Sequence, residues 1–278
     1  MTILLFTGIL FLGALAAGLL GSLTGLGGGV VLIPLLTLVF KVDIHYAIGT
    51  SLISVIATSS GAAAAYVKEG FTNIRLGMFL ELATTFGAIG GAFLASYLST
   101  SFIAILFGII LILSAIISFI RQADPVENGP GSRLSRVLKL NSHYPTPSGD
   151  RSYIVKNIAG GFLMMNIAGV ISGLLGIGSG ALKVIAMDNI MRIPFKVSTT
   201  TSNFMIGVTA AASVGIYLKR GYIDPGLSMP VVLGVLGGAF IGSKMLATAS
   251  TARLKILFAV VIFILALEMI YNGYTHQI

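Results

Sequence analysis

Lys183 lies in an apolar stretch, three residues past the cluster Gly176-Ile177-Gly178-Ser179-Gly180. An ionisable residue in such surroundings marks a functional site by default. Its ammonium would draw an anion, unless it pairs with Asp188 or reaches an interface along its own stem. The glycine cluster has a counterpart at Gly25-Leu26-Gly27-Gly28-Gly29. Clustered glycine destabilises a helix and breaks it. The half-helix after a break starts with unpaired N–H groups and a partial positive charge, which suits an anion. Gly27, Gly28, Gly29, Gly178, Ser179 and Gly180 are therefore candidate binding residues. Tight helix packing is the plainer explanation of the same glycines.

Short hydroxyl and amide side chains could complete such a site. Thr50, Ser51 and Ser54 open one apolar segment, and Thr200, Thr201, Ser202 and Asn203 open another. They could hold oxyanion oxygens, or serve only as caps and helix–helix hydrogen bonds. Glu81 and Asp188 are the candidates for proton coupling, since carboxylates in a membrane can relay protons. Glu81 could equally face interfacial water, and Glu268 sits near a segment end. Enzyme signatures are missing. There is no H-E-x-x-H, and His45, His143 and His276 are scattered. Ile177 stands where a nucleophile elbow needs glycine, and no P-loop lysine follows either glycine cluster. With no cysteine in the chain, thiolate chemistry and Cys-ligated zinc are excluded. No metal and no cofactor is expected.

These residues need elements to position them, and composition says which kind. Of 278 residues, 56% are hydrophobic and only 9% charged. A soluble domain carries about 25% charge. The chain must lie in a lipid bilayer. Segments of about 20 apolar residues, the length that crosses one, run near 2–24, 44–67, 75–98, 101–120, 153–175, 197–218, 226–247 and 254–272. Two shorter apolar pieces, near 29–40 and 180–191, follow the glycine clusters and read as half-helices. The first segment contains Ala14-Leu15-Ala16 but lacks a basic start, so it is not expected to be a cleaved signal peptide. The polar stretch 121–152 has linker composition, with Pro125, Pro130, Pro145 and Pro147, and room for an amphipathic helix near 133–140. Three parts result: 1–120, the linker 121–152, and 153–278.

The outer parts resemble each other. A shift of 151 places Gly18 on Gly169, the first glycine cluster on the second, Thr50-Ser51 on Thr201-Ser202, Tyr66 on Tyr217, Lys68 on Lys219 and Gly70 on Gly221. A four-residue deletion then places Gly90-Gly91-Ala92-Phe93 on Gly237-Gly238-Ala239-Phe240. Gly87-x-x-x-Gly91 and Gly234-x-x-x-Gly238-x-x-x-Gly242 read as packing faces. If each glycine-broken piece returns to its starting side, the repeats are inverted. Then 13 Lys and Arg residues share the side of the 121–152 linker, against 3 opposite. Parallel repeats would give 10 against 6. Basic residues gather in the cytoplasm. The expected fold is therefore an all-α polytopic membrane protein of two inverted repeats, about eight long transmembrane helices plus two half-helices, with the linker cytoplasmic. The net charge of +8 reports orientation, so nucleic acid is not an expected partner.

The motif Gly25-Leu26-Gly27-Gly28-Gly29, followed by Pro34 and Leu35, resembles that of the sulfite exporter TauE/SafE family of membrane permeases. The resemblance covers nearly the whole chain outside 121–152. The copy at Gly176–Gly180 departs from it: Ser179 replaces a glycine, Ile185 stands at the proline position, and Lys183 matches Leu32. What the resemblance implies is export of sulfite or an organosulfonate across the bacterial inner membrane by a secondary transporter. Paired helix breaks mark such sites at repeat interfaces. A passive anion channel and a membrane scaffold are the alternatives. The bilayer and a small anion are the expected partners, and a second copy, as a homodimer, stays among the candidates.

Overall fold

A computed structural model describes residues 3–24, 28–68, 70–117, 133–146, 149–246 and 251–276. Among these residues, eight helices of 18 to 25 residues form the body. They are α1 (Ile3–Thr24), α3 (Ile44–Lys68), α4 (Ile74–Ala95), α5 (Thr100–Ile117), α7 (Ile158–Leu175), α9 (Phe195–Lys219), α10 (Pro225–Leu246) and α11 (Thr251–Tyr274). Five of them, α1, α4, α7, α9 and α10, contain stretches long and apolar enough to cross a membrane. Large apolar side chains such as Leu4, Phe86, Leu163, Leu233 and Phe263 face outward. A water-facing surface would not tolerate so many, whereas lipid does. The chain is a multi-pass, mainly helical membrane protein.

Two short helices, α2 (Gly29–Pro34) and α8 (Gly180–Ile185), follow the glycine clusters. Each continues as a five-residue π-helical turn, Leu35–Val39 and Ala186–Ile190. Each turn closes with a bond from the residue after it: Phe40 N to Leu35 O at 3.3 Å and Met191 N to Ala186 O at 3.1 Å. Lys41 and Arg192 then take left-handed backbone, at φ 55° and 58°, and turn the chain into α3 and α9.

Glycine sets how closely the long helices approach. A Cβ on Gly87 would strike the Asn166 carbonyl, one on Gly91 the Val170 carbonyl, one on Gly169 the Thr84 carbonyl and one on Gly173 the Ala88 carbonyl. Helices α4 and α7 thus run side by side in the same direction, backbone on backbone. Helices α1 and α10 do the same, with Gly18 against Val235, Gly234 against Phe11 and Gly238 against Leu15. Small residues permit this approach where lipid gives no apolar drive for association. Helix α9 runs parallel to α4, since Asn73 meets Thr201 and Glu81 meets Thr209. It runs antiparallel to α3, since Gly49 meets Tyr222 just beyond the end of α9 while Gly207 meets Ser59. Helices α5 and α11 are antiparallel, with Gly108 against Ala266 and Gly273 against Ser101.

These contacts correct the sequence alignment. Gly87 touches Asn166 and Val170, and Gly238 touches Leu15 and Leu19, so every partner pair differs by 151. These contacts fit a shift of 151 carried through α4 and α10 without the four-residue deletion. A glycine at every fourth position looks the same after a slip of four, which is one helical turn, and so hides the error.

The stretch 121–152 is not linker throughout. Residues 118–132 lie outside the described ones, but Arg133–Val137 form a short helix, α6, in place of the longer surface helix expected near 133–140. Strands β1 (Ser142–Thr146) and β2 (Gly149–Tyr153) pair as an antiparallel hairpin. Prolines and Gly149 disguise these strands in the sequence. In a two-stranded ribbon both strands are edges, where a proline can sit without breaking the pairing. The hairpin also takes the first residues of the segment expected at 153–175, so α7 begins at Ile158.

Asn73 pins the hairpin to the helices. It caps α4 through Oδ1, which accepts from Leu76 N at 3.0 Å. Its Nδ2 donates to Leu140 O and to the Tyr153 hydroxyl, both at 2.8 Å, and its backbone N donates to Thr201 Oγ1 at 3.1 Å. Burial pushes the Tyr153 hydroxyl up to about 12, so it stays neutral. Asn73→Ala removes a cap and strands two buried acceptors. It should cost about 2 kcal/mol, read as a lower melting temperature in detergent. Thr201→Val removes a single bond and should cost less.

Candidate functional site

The two glycine breaks meet inside the helix bundle. Gly28 begins the first turn of α2, its carbonyl accepting from Leu32 N at 3.0 Å. A Cβ on Gly29 would lie 2.5 Å from Ser51 Oγ and 3.1 Å from Gly176 O. Ser51 Oγ itself donates to Gly176 O at 2.9 Å and so ties α3 to the second break. Gly176 ends α7 in left-handed backbone, φ 68°, with its N–H bonded to Ser172 O at 2.8 Å. Gly178 is also left-handed, and a Cβ there would meet Ile206 of α9 at 2.8 Å and Val55 of α3 at 3.3 Å. Gly27 lies outside the described residues, as do Gly25 and Leu26.

Helix α8 starts at this meeting point. The first backbone donor that turns back into it is Lys183 N, bonded to Ser179 O at 3.1 Å. The N–H groups of Gly180, Ala181 and Leu182 precede that bond and have no intrahelical acceptor. Val30, Ile110, Ser114 and Ile177 stand around them in a cleft of about 10 Å³, room for one water. Ser202 Oγ donates to Gly180 O at 3.2 Å and anchors the half-helix to α9. Asn203 is buried next to it.

Other candidates turn elsewhere. Ser179 Oγ donates to Ala168 O at 2.6 Å, so its single proton is committed. Thr50 Oγ1 shares a bond with Ser228 Oγ at 3.3 Å, toward α10. Ser54 Oγ donates back to Thr50 O at 3.0 Å, within its own helix. Asp188 is buried with its Oδ1 unpartnered, and among the described residues it forms no ion pair with Lys183 or Arg192.

Lys183 has a different partner from those expected. Its side chain is 0% exposed, and Nζ donates to Thr209 Oγ1 at 2.5 Å. Thr209 Oγ1 in turn lies 2.7 Å from Glu81 Oε1 and 2.9 Å from Met205 O. Thr85 Oγ1 donates to the same carboxylate oxygen at 3.4 Å. Glu81 is buried in this array rather than facing interfacial water. Thr209 is the member that sequence reasoning missed. One signal was available: it follows Ser202 by seven residues, two helical turns along the same face. A shift of 151 maps the trio onto Leu32, Thr58 and Val232. The charges are installed on one side only.

The family model for the sulfite exporter TauE/SafE matches residues 10–269. The chain belongs to the TauE/SafE family. Its relatives include the probable membrane transporter protein YunE of Bacillus subtilis, 27% identical over 95% of this chain and 97% of that protein. The probable membrane transporter protein YdhB of the same organism is 30% identical over 82% of this chain and 85% of its own length. A third, MJ0441 of Methanocaldococcus jannaschii, carries the same description and is 23% identical over 96% of each chain. No solved structure matches the chain. These TauE/SafE relatives are described as probable membrane transporters, and the alignments cover 82% to 96% of the chain.

Proposed function

We propose that the protein is a secondary transporter, not an enzyme, that exports a small anion across the bacterial inner membrane. Sulfite or an organosulfonate fits the family name. The observation that carries this reading is the meeting of the two helix breaks at Gly29, Ser51 and Gly176. Broken backbone inside a membrane is tolerated where it lines a cavity, and breaks in corresponding positions are where transporters bind. Backbone N–H groups at the starts of α2 and α8 would take the anion, with Ser51, Ser202 and Asn203 around them.

The two outer parts act as inverted repeats in this reading. With α4 drawn upward, the contacts make α7 and α9 run up and α3 run down; the short connections after α4 and α9 turn α5 and α10 down, so α1, parallel to α10, runs down and α11, antiparallel to α5, runs up. That direction pattern supports inversion. It also supports a cytoplasmic 121–152 segment, because 13 of the basic residues then fall on its side. A cleft of about 10 Å³ is too small for an oxyanion, so the site must open. Rocking one repeat against the other would open it to either side.

Thermal unfolding of purified protein against sulfite, sulfoacetate, taurine, sulfate and chloride tests the substrate class. A ligand bound only by the folded state stabilises by about 2.7 kcal/mol at a hundredfold excess over its dissociation constant. Sulfite or sulfoacetate should shift the transition, and sulfite efflux from proteoliposomes should saturate. Absence of any shift and of any flux would overturn the anion reading and leave family membership standing.

A further inference from the structure

We infer that Glu81, Thr209 and Lys183 form a proton-binding relay, so that protons and not metal cations are coupled to the anion; this rests on the transporter reading above. The geometry has three parts. Lys183 Nζ donates to Thr209 Oγ1, and the Thr209 hydroxyl can direct its one hydrogen bond to Glu81 Oε1 at 2.7 Å or to Met205 O at 2.9 Å. Glu81 is 7% exposed, and its second oxygen, Oε2, has no hydrogen-bond partner. A buried carboxylate oxygen without a donor is costly while the group is charged. Oε2 is therefore the open position of the array.

A carboxylate, several hydroxyls and a backbone carbonyl converge here, and such oxygen sets can hold hard cations. Lys183 already stands among them. Its tethered ammonium occupies the cation's place, which leaves the proton as the species that can come and go.

The charges nearby are few. Among the described residues, Lys183 is the charged group acting on Glu81, and Glu81 the one acting on Lys183. Helices α5 and α7 carry no titratable residue, and α9 carries Lys196, Tyr217 and Lys219, toward its two ends. On α4, Arg75 is the other charged residue, in the first turn. Asp188, in the π turn after α8, makes no ion pair with Lys183.

Coupling follows from charge balance. A proton arriving on Oε2 turns Glu81 into a neutral acid. Thr209 can then turn its O–H toward Met205 O, and the Lys183 ammonium is left without its counter-charge. An anion entering the adjacent α8 break supplies it. Proton and anion therefore favour each other's binding and move together, as a neutral pair for a singly charged anion. The direction of net flux is then set by the two gradients.

The first test needs no substrate. Infrared spectra of the purified protein across a pH titration should show the C=O band of a protonated carboxyl that is lost in Glu81→Gln and kept in Asp188→Asn. Thr209→Val keeps both charges and removes only the bridge, so it should move the midpoint of that band. A band unchanged in Glu81→Gln, or a midpoint unmoved in Thr209→Val, overturns the relay. The second test uses proteoliposomes and isethionate, whose single charge does not titrate near neutral pH. Accumulation should rise about tenfold per unit of imposed pH gradient, the free energy of one coupled proton. In Glu81→Gln the accumulation ratio should no longer follow the pH gradient, whatever the rate. Accumulation driven by a sodium gradient overturns the proposal. Absence of flux with both isethionate and sulfite defeats the transporter reading, while the infrared result still decides the proton site.

Discussion

Lys183→Met should destabilise the protein more than the double substitution Lys183→Met with Glu81→Gln. Each charge sits in the bundle interior, joined to the other through Thr209. Removing one partner of a buried pair leaves the other uncompensated, at a cost of about 3–5 kcal/mol. Replacing both with neutral side chains of similar size removes the cause of the penalty. The double variant should recover most of the loss, and each single variant should lie well below it in melting temperature. Were Lys183 held only for an incoming anion, with no tie to Glu81, the two losses would add to within about 0.5 kcal/mol. The cycle thus separates a coupled pair from two independent residues before any substrate is known.

The same pair shows what a single sequence can and cannot disclose. A charge in an apolar run is conspicuous, so Lys183 and Glu81 stood out at once. Thr209 did not, because a threonine in a membrane helix is ordinary and its role depends on two other helices. Ser179 and Ser54 illustrate the converse. Their type suits an oxyanion, yet their protons go to Ala168 O and Thr50 O. Hydrogen-bond commitment is a property of packing, which composition does not record.

Element lengths were more legible. An apolar run long enough for a bilayer leaves few alternatives to a helix, so the long segments and both half-helices lie where the runs do. The hairpin at Ser142–Tyr153 escaped notice because its prolines signal a coil and its stability comes from outside. Leu140, Tyr153 and Val155 are buried among Leu76, Met191 and Val197, residues distant in sequence. In sequence, α4 can be aligned with α10 at two registers one turn apart, because periodic glycines carry no phase. Only the partners of each glycine supply it.

Those partners make the final prediction sharp. Gly90 and Gly91 are neighbours of identical type, and substitution should spare the first and damage the second. A Cβ on Gly91 would overlap the Val170 carbonyl and meet Leu174 N, both backbone atoms. Backbone cannot turn aside, so Gly91→Val must force α4 and α7 apart along the whole seam. The loss should be at least about 3 kcal/mol, the upper range for overpacking, and the protein should fail to accumulate in membranes. Gly90 is exposed, and its Cβ would meet nothing within 4 Å. Gly90→Val should therefore leave the melting temperature nearly unchanged. The α1–α10 seam offers the same contrast. A Cβ on Gly238 would strike the Leu15 carbonyl, whereas one on Gly237 would touch only the tip of the Leu15 side chain at 4.0 Å. Gly238→Val should be as damaging as Gly91→Val, and Gly237→Val as mild as Gly90→Val. Gly87→Val should be as damaging as Gly91→Val, because the Asn166 carbonyl stands against it. Trimming Leu15 to alanine should then leave Gly238→Val unrescued, because the clash is with main chain and not with the leucine side chain.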